Sequence, residues 1–285
     1  MPTTPDMLTR TELKGVFEEY SFAPLKRFGE NYLIDKNIKD KIIREAGISK
    51  SDIVLEIGPG LGALTIDLAD TGAEVFAVEK DPKAFRILEE LVFEKYPNLR
   101  LYNADILKFD LKNMVSSEKV KVLGNLPYYV TTPIIEYIIQ NAHAIDSALI
   151  VIQKEVARRL SAAPGSKDYS SISCFAQYYT LPEYLYTIKR ASFYPVPDVD
   201  SSLIRLSVRR EPPVKVKDEE LFFRIIRGSF NQRRKSIINS LSREAVLDTA
   251  KPDLTKVLKM AGVDPSSRPE DLSLSDFASI TNAIE

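Results

Sequence analysis

A run of alternating glycines stands out between residues 56 and 62, where the sequence reads Glu-Ile-Gly-Pro-Gly-Leu-Gly. A short apolar run precedes it, and leucines at helical spacing follow it. Glycines at a strand–helix junction allow a sharp turn and a close approach of a ligand to the main chain. Glu79 ends the next apolar run, 21 positions after Gly58, where a carboxylate can accept hydrogen bonds from both hydroxyls of a ribose. We therefore expect a nucleoside site, with a tight turn beside a solvated carboxylate as the alternative.

The spacing of the glycines narrows the kind of nucleoside. Dinucleotide sites usually have the pattern Gly-x-Gly-x-x-Gly, whereas the glycines here are Gly58, Gly60 and Gly62, with the acidic Glu56 before them. This pattern resembles that of S-adenosylmethionine-dependent methyltransferases. The resemblance implies that Asp105, which ends the third strand-like run, binds the adenine amino group of that cofactor.

A second motif follows the fourth strand-like run, which ends in Asn125, Leu126, Pro127 and Tyr128. It resembles the (Asn/Asp/Ser)-Pro-Pro-aromatic motif of methyltransferases that act on conjugated amino groups. Such an amine is a poor nucleophile because its lone pair is delocalised. The Asn125 oxygen and a backbone carbonyl near Leu126 can accept its two hydrogens and favour a pyramidal nitrogen, while Tyr128 can stack on the base for about 1–3 kcal/mol. Positioning and electrostatics would then carry the rate; a simple strand-ending turn is the alternative.

The composition excludes several other chemistries. The 285 residues include one cysteine, Cys174, and one histidine, His143. An internal disulfide, a multi-thiolate metal site and a multi-histidine metal centre are therefore excluded, and we expect no metal. The formal charge is −1, from 39 basic and 40 acidic residues, which excludes a uniformly basic surface but not a local one. The N-terminal residues are polar, without an apolar signal-peptide core, so we expect a cytoplasmic protein without a membrane segment.

The elements that must position these motifs alternate along the chain. Short runs rich in Val, Ile and Leu are typical of strands covered on both faces of a parallel sheet, and we place them at residues 52–58, 73–79, 98–105, 119–125 and 148–153. Helix-like stretches separate them, one of which opens with Pro82. Repeated β–α–β units predict an α/β, Rossmann-like sheet with ligands at the carboxyl ends of its strands.

The pattern changes in the second half of the chain. Residues 184–190 and 201–210 predict an antiparallel strand pair that closes the sheet. Two adjacent prolines after Glu211 interrupt regular structure, and the remainder is helical in pattern, with a capping box formed by Ser273 and Asp276 before the last helix. We therefore predict a catalytic domain over residues 1–211 and a smaller all-helical domain over residues 212–285.

Taken together, these motifs resemble the ribosomal RNA adenine dimethyltransferase family. The likeness covers nearly the whole chain from Lys26 and includes KRFGENYLID, LEIGPGLGALT, VEKD, NADI, GNLPYYVTTPI, QKEVARRL, SFYPVPDVDSSLIRL, FNQRRKSIINSL and AGVDPSSRPEDLSLSDF. It implies dimethylation of two adjacent adenosines near the 3′ end of small-subunit ribosomal RNA, with S-adenosylmethionine as the cofactor. Three residues depart from the family pattern: Glu30 replaces a glutamine, Tyr129 an asparagine and Ser171 a basic residue.

The resemblance also implies roles for individual residues. Asn31 and Leu33 would contact the methionine end of the cofactor, and Gly58 and Gly60 would contact the cofactor from the glycine turn. Asn125 would bridge the cofactor and the target amine. Phe193 would be a second aromatic wall of the base pocket, although an ordinary core aromatic is the alternative. We assign RNA contacts to the densest part of a basic stretch with 13 Lys and Arg against 6 Asp and Glu over residues 189–243, namely Arg233, Arg234 and Lys235.

Several functional alternatives stay open at this point. The favoured substrate is small-subunit ribosomal RNA within a pre-assembled subunit, bound by a monomer that splays an adenosine into the cleft. The sister dimethylases of the large subunit are the next candidate, although the C-terminal segment at residues 263–277 argues against them. A ribosome-assembly factor whose binding matters more than its chemistry is a third, and a nicotinamide dehydrogenase is a remote fourth.

Overall fold

The structure is a computed structural model that describes residues 9–22, 31–92, 95–111, 114, 119–232, 235–243 and 251–284, with the backbone alone at residues 243, 251 and 252. The chain forms two compact units. We name the first the sheet unit, which comprises Met1–Ala157 and Glu183–Val208. The second is the helical unit, which comprises Arg158–Pro182 and Arg209–Glu285.

A seven-stranded sheet organises the sheet unit. Its strands are β2 Ile53–Ile57, β3 Glu74–Glu79, β4 Leu99–Asn103, β5 Val120–Asn125, β6 Ile145–Gln153, β7 Thr180–Ile188 and β9 Ser201–Val208. Across the sheet they stand in the order β4-β3-β2-β5-β6-β9-β7. The strands from β4 to β6 pair in parallel, and β9 runs antiparallel to β6. Two short strands, β1 Tyr32–Leu33 and β8 Phe193–Tyr194, pair separately.

Continuous apolar runs explain why these strands lie in the interior. Val54, Leu55, Val75 and Ile150 are fully buried, as expected for parallel strands that are covered on both faces. The predicted Rossmann-like α/β sheet is confirmed. Strand β6 begins at Ile145, three residues earlier than predicted, because its first residues pair with the start of β5.

Helices pack against the strands of the sheet. The helices of this part of the chain have the bounds α1 Arg10–Glu19, α2 Lys36–Ala46, α3 Thr65–Asp70, α4 Pro82–Val92, α5 Thr131–Gln140 and α6 Lys154–Leu160. Helix α4 starts at Pro82, as predicted. Helix α3 begins only at Thr65, although the leucine spacing predicted a helix directly after the glycines. The three glycines of the turn all have positive φ angles, which a right-handed helix excludes.

The helical unit packs around its own aromatic and aliphatic core. Its helices are α7 Ser171–Tyr179, α8 Glu219–Phe230, α9 Ile237–Arg243, α10 Lys251–Met260 and α11 Leu274–Asn282. Phe222 and Phe277 are fully buried in one hydrophobic cluster. The predicted capping box is present, because the Ser273 hydroxyl accepts from the Asp276 N–H and the Asp276 carboxylate accepts from the Ser273 N–H.

The division into units does not follow a single position in the sequence. The chain leaves the sheet unit after Ala157, returns at Glu183 and leaves again after Val208, whereas the sequence-based boundary lies between residues 211 and 212. Helix α7 therefore belongs to the helical unit, because Tyr178 and Cys174 are buried in the same cluster as Phe222. Across the described residues, no helix is both long and apolar enough for a membrane crossing.

Candidate functional site

A cavity of about 370 Å³ lies in the sheet unit, a size typical of small-ligand sites. The cavity is lined by residues at and after the carboxyl ends of β2, β3, β4 and β5 and by the segment around β1. Ten of the residues predicted from the sequence line it: Asn31, Leu33, Gly58, Gly60, Glu79, Asp105, Asn125, Leu126, Pro127 and Tyr128. The structure therefore brings the glycine turn and the Asn-Leu-Pro-Tyr segment to one place.

The glycine turn is held by the carboxylate that follows it in the neighbouring strand. Glu79 Oε2 accepts the Gly60 N–H at 2.9 Å, and Oε1 accepts the Asp81 N–H at 2.7 Å. A Cβ at Gly60 would come within 2.9 Å of the Tyr32 ring. The backbone φ of 58° at Gly60 is a second reason for glycine. Each carboxylate oxygen has a further lone pair, so Glu79 can accept ribose hydroxyls while it holds the turn.

Glu56 presents a buried carboxyl to the same cavity. The residue is 2% exposed, and among the described residues its Oε2 has no hydrogen-bond partner. Burial raises the pKa of Glu56 to about 8, helped by the charges of Glu79 and Asp67, while a contact with Thr65 lowers it. An unpaired carboxyl oxygen inside a ligand cavity can accept a hydrogen bond from a cationic group, and the charge of that group would favour loss of the carboxyl proton.

Asp105 lies at the rim in an ion pair. Its Oδ2 is 2.8 Å from Lys80 Nζ, and its Oδ1 accepts the Leu107 N–H at 3.1 Å. These contacts, led by the Lys80 hydrogen bond, lower the pKa of Asp105 despite some desolvation. Lys80 itself lines the cavity. Asp105 is therefore a fixed, ionised acceptor, as an amino-group contact requires.

The orientation of the Asn125 amide follows from its partner. Asn125 Nδ2 donates to the Asn31 backbone carbonyl at 2.8 Å. Because a carbonyl only accepts hydrogen bonds, the nitrogen of the amide must face Asn31. The Asn125 oxygen is left as the acceptor on the other side of the amide. This is the arrangement that a bound amine needs.

The rest of the Asn-Leu-Pro-Tyr segment is fixed by neighbouring strands and by the start of helix α5. The Leu126 N–H donates to the Val151 carbonyl at 3.0 Å, and the Pro127 carbonyl accepts from the Thr131 hydroxyl at 3.1 Å. Tyr128 is half-buried, and its hydroxyl lies 2.7 Å from Ser201 Oγ. Burial raises the pKa of Tyr128, which keeps the phenol neutral.

Not every predicted site residue reaches the cavity. Phe193 is 1% exposed and belongs to a hydrophobic core cluster with Leu33 and Leu123, and it does not line the cavity. The structure therefore places Phe193 in the core beside Leu33, its partner in β1, and its role as a wall of the base pocket stays a prediction. Arg233 and Arg234 lie outside the described residues, and Lys235 is exposed in the helical unit.

Several residues in or beside the site were not assigned to it from the sequence, among them Glu56 and the three described next. Tyr32 lies against the glycine turn, Lys80 pairs with Asp105, and Ser201 contacts Tyr128. Lys80 could have been found, because it follows directly after Glu79 at a strand end. Tyr32 and Ser201 carry no local signal, since both approach the site through chain segments distant in sequence.

Fold and cavity together indicate transfer of a methyl group to a conjugated amine. The parallel sheet supplies the nucleoside end of the site, and the Asn125 amide supplies an oriented acceptor. This combination defines the class of S-adenosylmethionine-dependent amine methyltransferases.

The chain belongs to the ribosomal RNA adenine dimethylase family, whose model matches residues 23–285. It is therefore an S-adenosylmethionine-dependent ribosomal RNA adenine N6,N6-dimethyltransferase, as the sequence predicted.

Similar proteins agree with this assignment. The chain is 42% identical to the ribosomal RNA small subunit methyltransferase A of Geobacillus sp. strain WCH70, over 98% of each chain. It is also 42% identical to the protein of that name from Lachnoclostridium phytofermentans, over 95% of this chain and 94% of the relative.

Solved structures show the same fold. A dimethyladenosine transferase from Plasmodium falciparum has a TM-score of 0.74 at 26% identity and matches 87% of this chain and 95% of its own. The 23S rRNA methyltransferase ErmE has a TM-score of 0.68 at 26% identity, over 89% and 99% of the two chains.

Proposed function

We propose that this enzyme dimethylates two adjacent adenosines near the 3′ end of small-subunit (16S) ribosomal RNA, in the cytoplasm, as a step in small-subunit biogenesis. The observation that carries the proposal is the Asn125 amide, whose nitrogen is engaged by Asn31 so that its oxygen can accept a hydrogen of the target amine. The 42% identity to relatives named small subunit methyltransferase A supports the choice of subunit.

The residues of the cavity fit S-adenosylmethionine. When bound, the cofactor supplies a methyl group on a positively charged sulfur. Glu79 would accept the ribose hydroxyls and Asp105 the adenine amino group, while Gly58 and Gly60 admit the ligand close to the main chain. The unpaired carboxyl oxygen of Glu56 would accept the ammonium group of the methionine end, whose charge favours the ionised form of the carboxyl. Asn31 and Leu33 complete that end of the cavity.

The Asn-Leu-Pro-Tyr segment would hold the target base. The Asn125 oxygen accepts one amine hydrogen, and a backbone carbonyl near Leu126 accepts the other, which favours a pyramidal nitrogen. The neutral Tyr128 ring stacks on the adenine. No residue has to act as a strong base, because the methylated nitrogen is acidic and releases its proton to water. The protein thus lowers the barrier through orientation and preorganised dipoles.

We assign recognition of the RNA beyond the target base to the basic stretch and the helical unit. Arg233, Arg234 and Lys235 have the charge that phosphate contact requires. The proposed substrate is a pre-assembled small subunit, and the proposed acting form is a monomer.

The experiment uses the full chain with labelled S-adenosylmethionine and three substrates: unmethylated small subunits, unmethylated large subunits and protein-free small-subunit RNA. Mapping of the modified nucleotides should find N6,N6-dimethyladenosine at two adjacent positions near the 3′ end of the small-subunit RNA, and only when it is assembled. Modification of large-subunit RNA instead would contradict the proposal. It would favour the activity of the sister dimethylases of the large subunit, and a 23S rRNA methyltransferase, ErmE, is among the similar structures. An inactive Asn125→Ala variant that supports full subunit maturation would favour a binding role.

A further inference from the structure

Two adjacent serines near the start of β9 make the same kind of contact on opposite faces of the sheet. Ser201 and Ser202 are both fully buried. Ser201 Oγ lies 2.7 Å from the Tyr128 hydroxyl, and Ser202 Oγ lies 2.7 Å from the Tyr184 hydroxyl. Successive side chains of a strand point to opposite faces, so the two hydrogen bonds lie on opposite faces of the sheet. Tyr128 lines the cavity, whereas Tyr184 is not among the residues that line it.

We propose that Ser201 is a positioning residue for the methyl transfer, because it fixes the tilt of the Tyr128 ring that stacks on the target adenine. The inference rests on the proposed function, in which Tyr128 contacts that base. Ser201 does not line the cavity, so it acts through Tyr128 and touches neither the base nor the cofactor.

The geometry gives the tyrosine two attachment points. Its backbone lies in a 3₁₀ turn at Tyr128–Val130, which is tied to the following helix through the Thr131 hydroxyl. Its far end is held by Ser201, which pairs with Gln153 at the end of β6. The Lys154 N–H donates to the Asp200 carbonyl at 3.0 Å, which anchors the start of β9. A ring held at both ends keeps one tilt before the base arrives.

A single hydrogen bond makes only a modest net contribution to folding, because water satisfies the same two groups in the unfolded chain. Its effect on catalysis is larger when it sets the position of a group that orients the substrate, since rate depends steeply on alignment. Loss of the Ser201–Tyr128 contact should therefore lower turnover while the protein stays folded.

The test compares four single variants and one double variant in steady-state methylation of unmethylated small subunits. Ser201→Ala should lower kcat roughly 3- to 10-fold, the loss expected for one hydrogen bond. The KM for the subunit and the Kd for S-adenosylmethionine should stay within about 2-fold, because neither depends on the tilt of the ring. Tyr128→Phe, which keeps the ring and loses the hydroxyl, should show a similar loss, and Ser201→Ala should add nothing in that background.

Ser202→Ala is the matched control. It removes the hydrogen bond between Ser202 and Tyr184, which is as short as the bond between Ser201 and Tyr128 and comes from a serine that is equally buried. The kcat of Ser202→Ala should equal that of the wild type. An unchanged kcat in Ser201→Ala, an equal loss in Ser202→Ala, or an undiminished effect of Ser201→Ala in the Tyr128→Phe background would each overturn the inference. Tyr128→Ala tests the contact between Tyr128 and the base separately, because full activity in that variant would refute the role of Tyr128 itself.

Discussion

Replacement of Glu56 by glutamine should change how the stability of the cofactor-free protein depends on pH. The free energy of unfolding of Glu56→Gln, measured relative to that of the wild type, should increase as the pH rises. Burial raises the pKa of this carboxyl from 4.5 to about 8. Between those values the unfolded chain releases the proton that the folded chain retains. The folded state therefore binds more protons, and the stability of the wild type falls with rising pH over this window. Glutamine keeps the shape of the side chain and does not titrate.

The magnitude follows from linkage. Each pH unit inside the window lowers the free energy of unfolding of the wild type by about 1.4 kcal/mol. The total loss reaches its limit of about 5 kcal/mol once the pH exceeds the pKa of Glu56 in the folded state. Between about pH 5 and about pH 7.5, the stability of Glu56→Gln relative to the wild type should rise by about 3 kcal/mol. Other titrating groups cancel, since both proteins contain them.

Urea unfolding of the cofactor-free proteins, followed by circular dichroism at a series of pH values, measures this difference. Glu89→Gln is a suitable control, because it removes one carboxylate from an exposed position of helix α4. A stability difference between Glu56→Gln and the wild type that does not change with pH would show that the Glu56 carboxyl is not buried as described.

Two further predictions concern binding. Glu79→Gln should weaken S-adenosylmethionine about 10- to 150-fold, because it removes a charge-assisted ribose contact; unchanged affinity in calorimetry would refute the assigned role. Simultaneous replacement of Arg233, Arg234 and Lys235 by alanine should weaken RNA binding and flatten its dependence on salt, since fewer counterions are released, while the affinity for S-adenosylmethionine stays the same. An unaltered salt slope would exclude these residues from phosphate contact.

Motifs whose residues are close together in the sequence were predictable. The glycine turn, Glu79 and the Asn-Leu-Pro-Tyr segment each follow a strand-like run, and parallel strands bring their carboxyl ends to one edge. Their shared cavity was therefore expected from the sequence. The start of helix α3 was not predicted correctly. The leucine spacing indicates a helix from Leu61 onward, but the glycines have positive φ angles and the helix begins only at Thr65.

Contacts between distant segments were not predictable. The Asn31 carbonyl that orients Asn125 comes from 94 residues earlier in the chain, and the Ser201 hydroxyl comes from 73 residues beyond Tyr128. The inward position of Phe193 depends on its pairing with Leu33 in a two-residue strand. Such short strands have no periodicity to detect. For the same reason, the placement of α7 in the helical unit required the tertiary contacts of Tyr178 and Cys174.

The central claim is that the Asn125 oxygen activates the target amine by accepting its hydrogen. Single-turnover methylation by Asn125→Ala, at a concentration of S-adenosylmethionine that saturates the variant, tests this claim most directly. We predict a rate at least about 100-fold below that of the wild type, comparable with the loss of one preorganised hydrogen bond at a reacting centre. A wild-type rate in this variant would contradict the account.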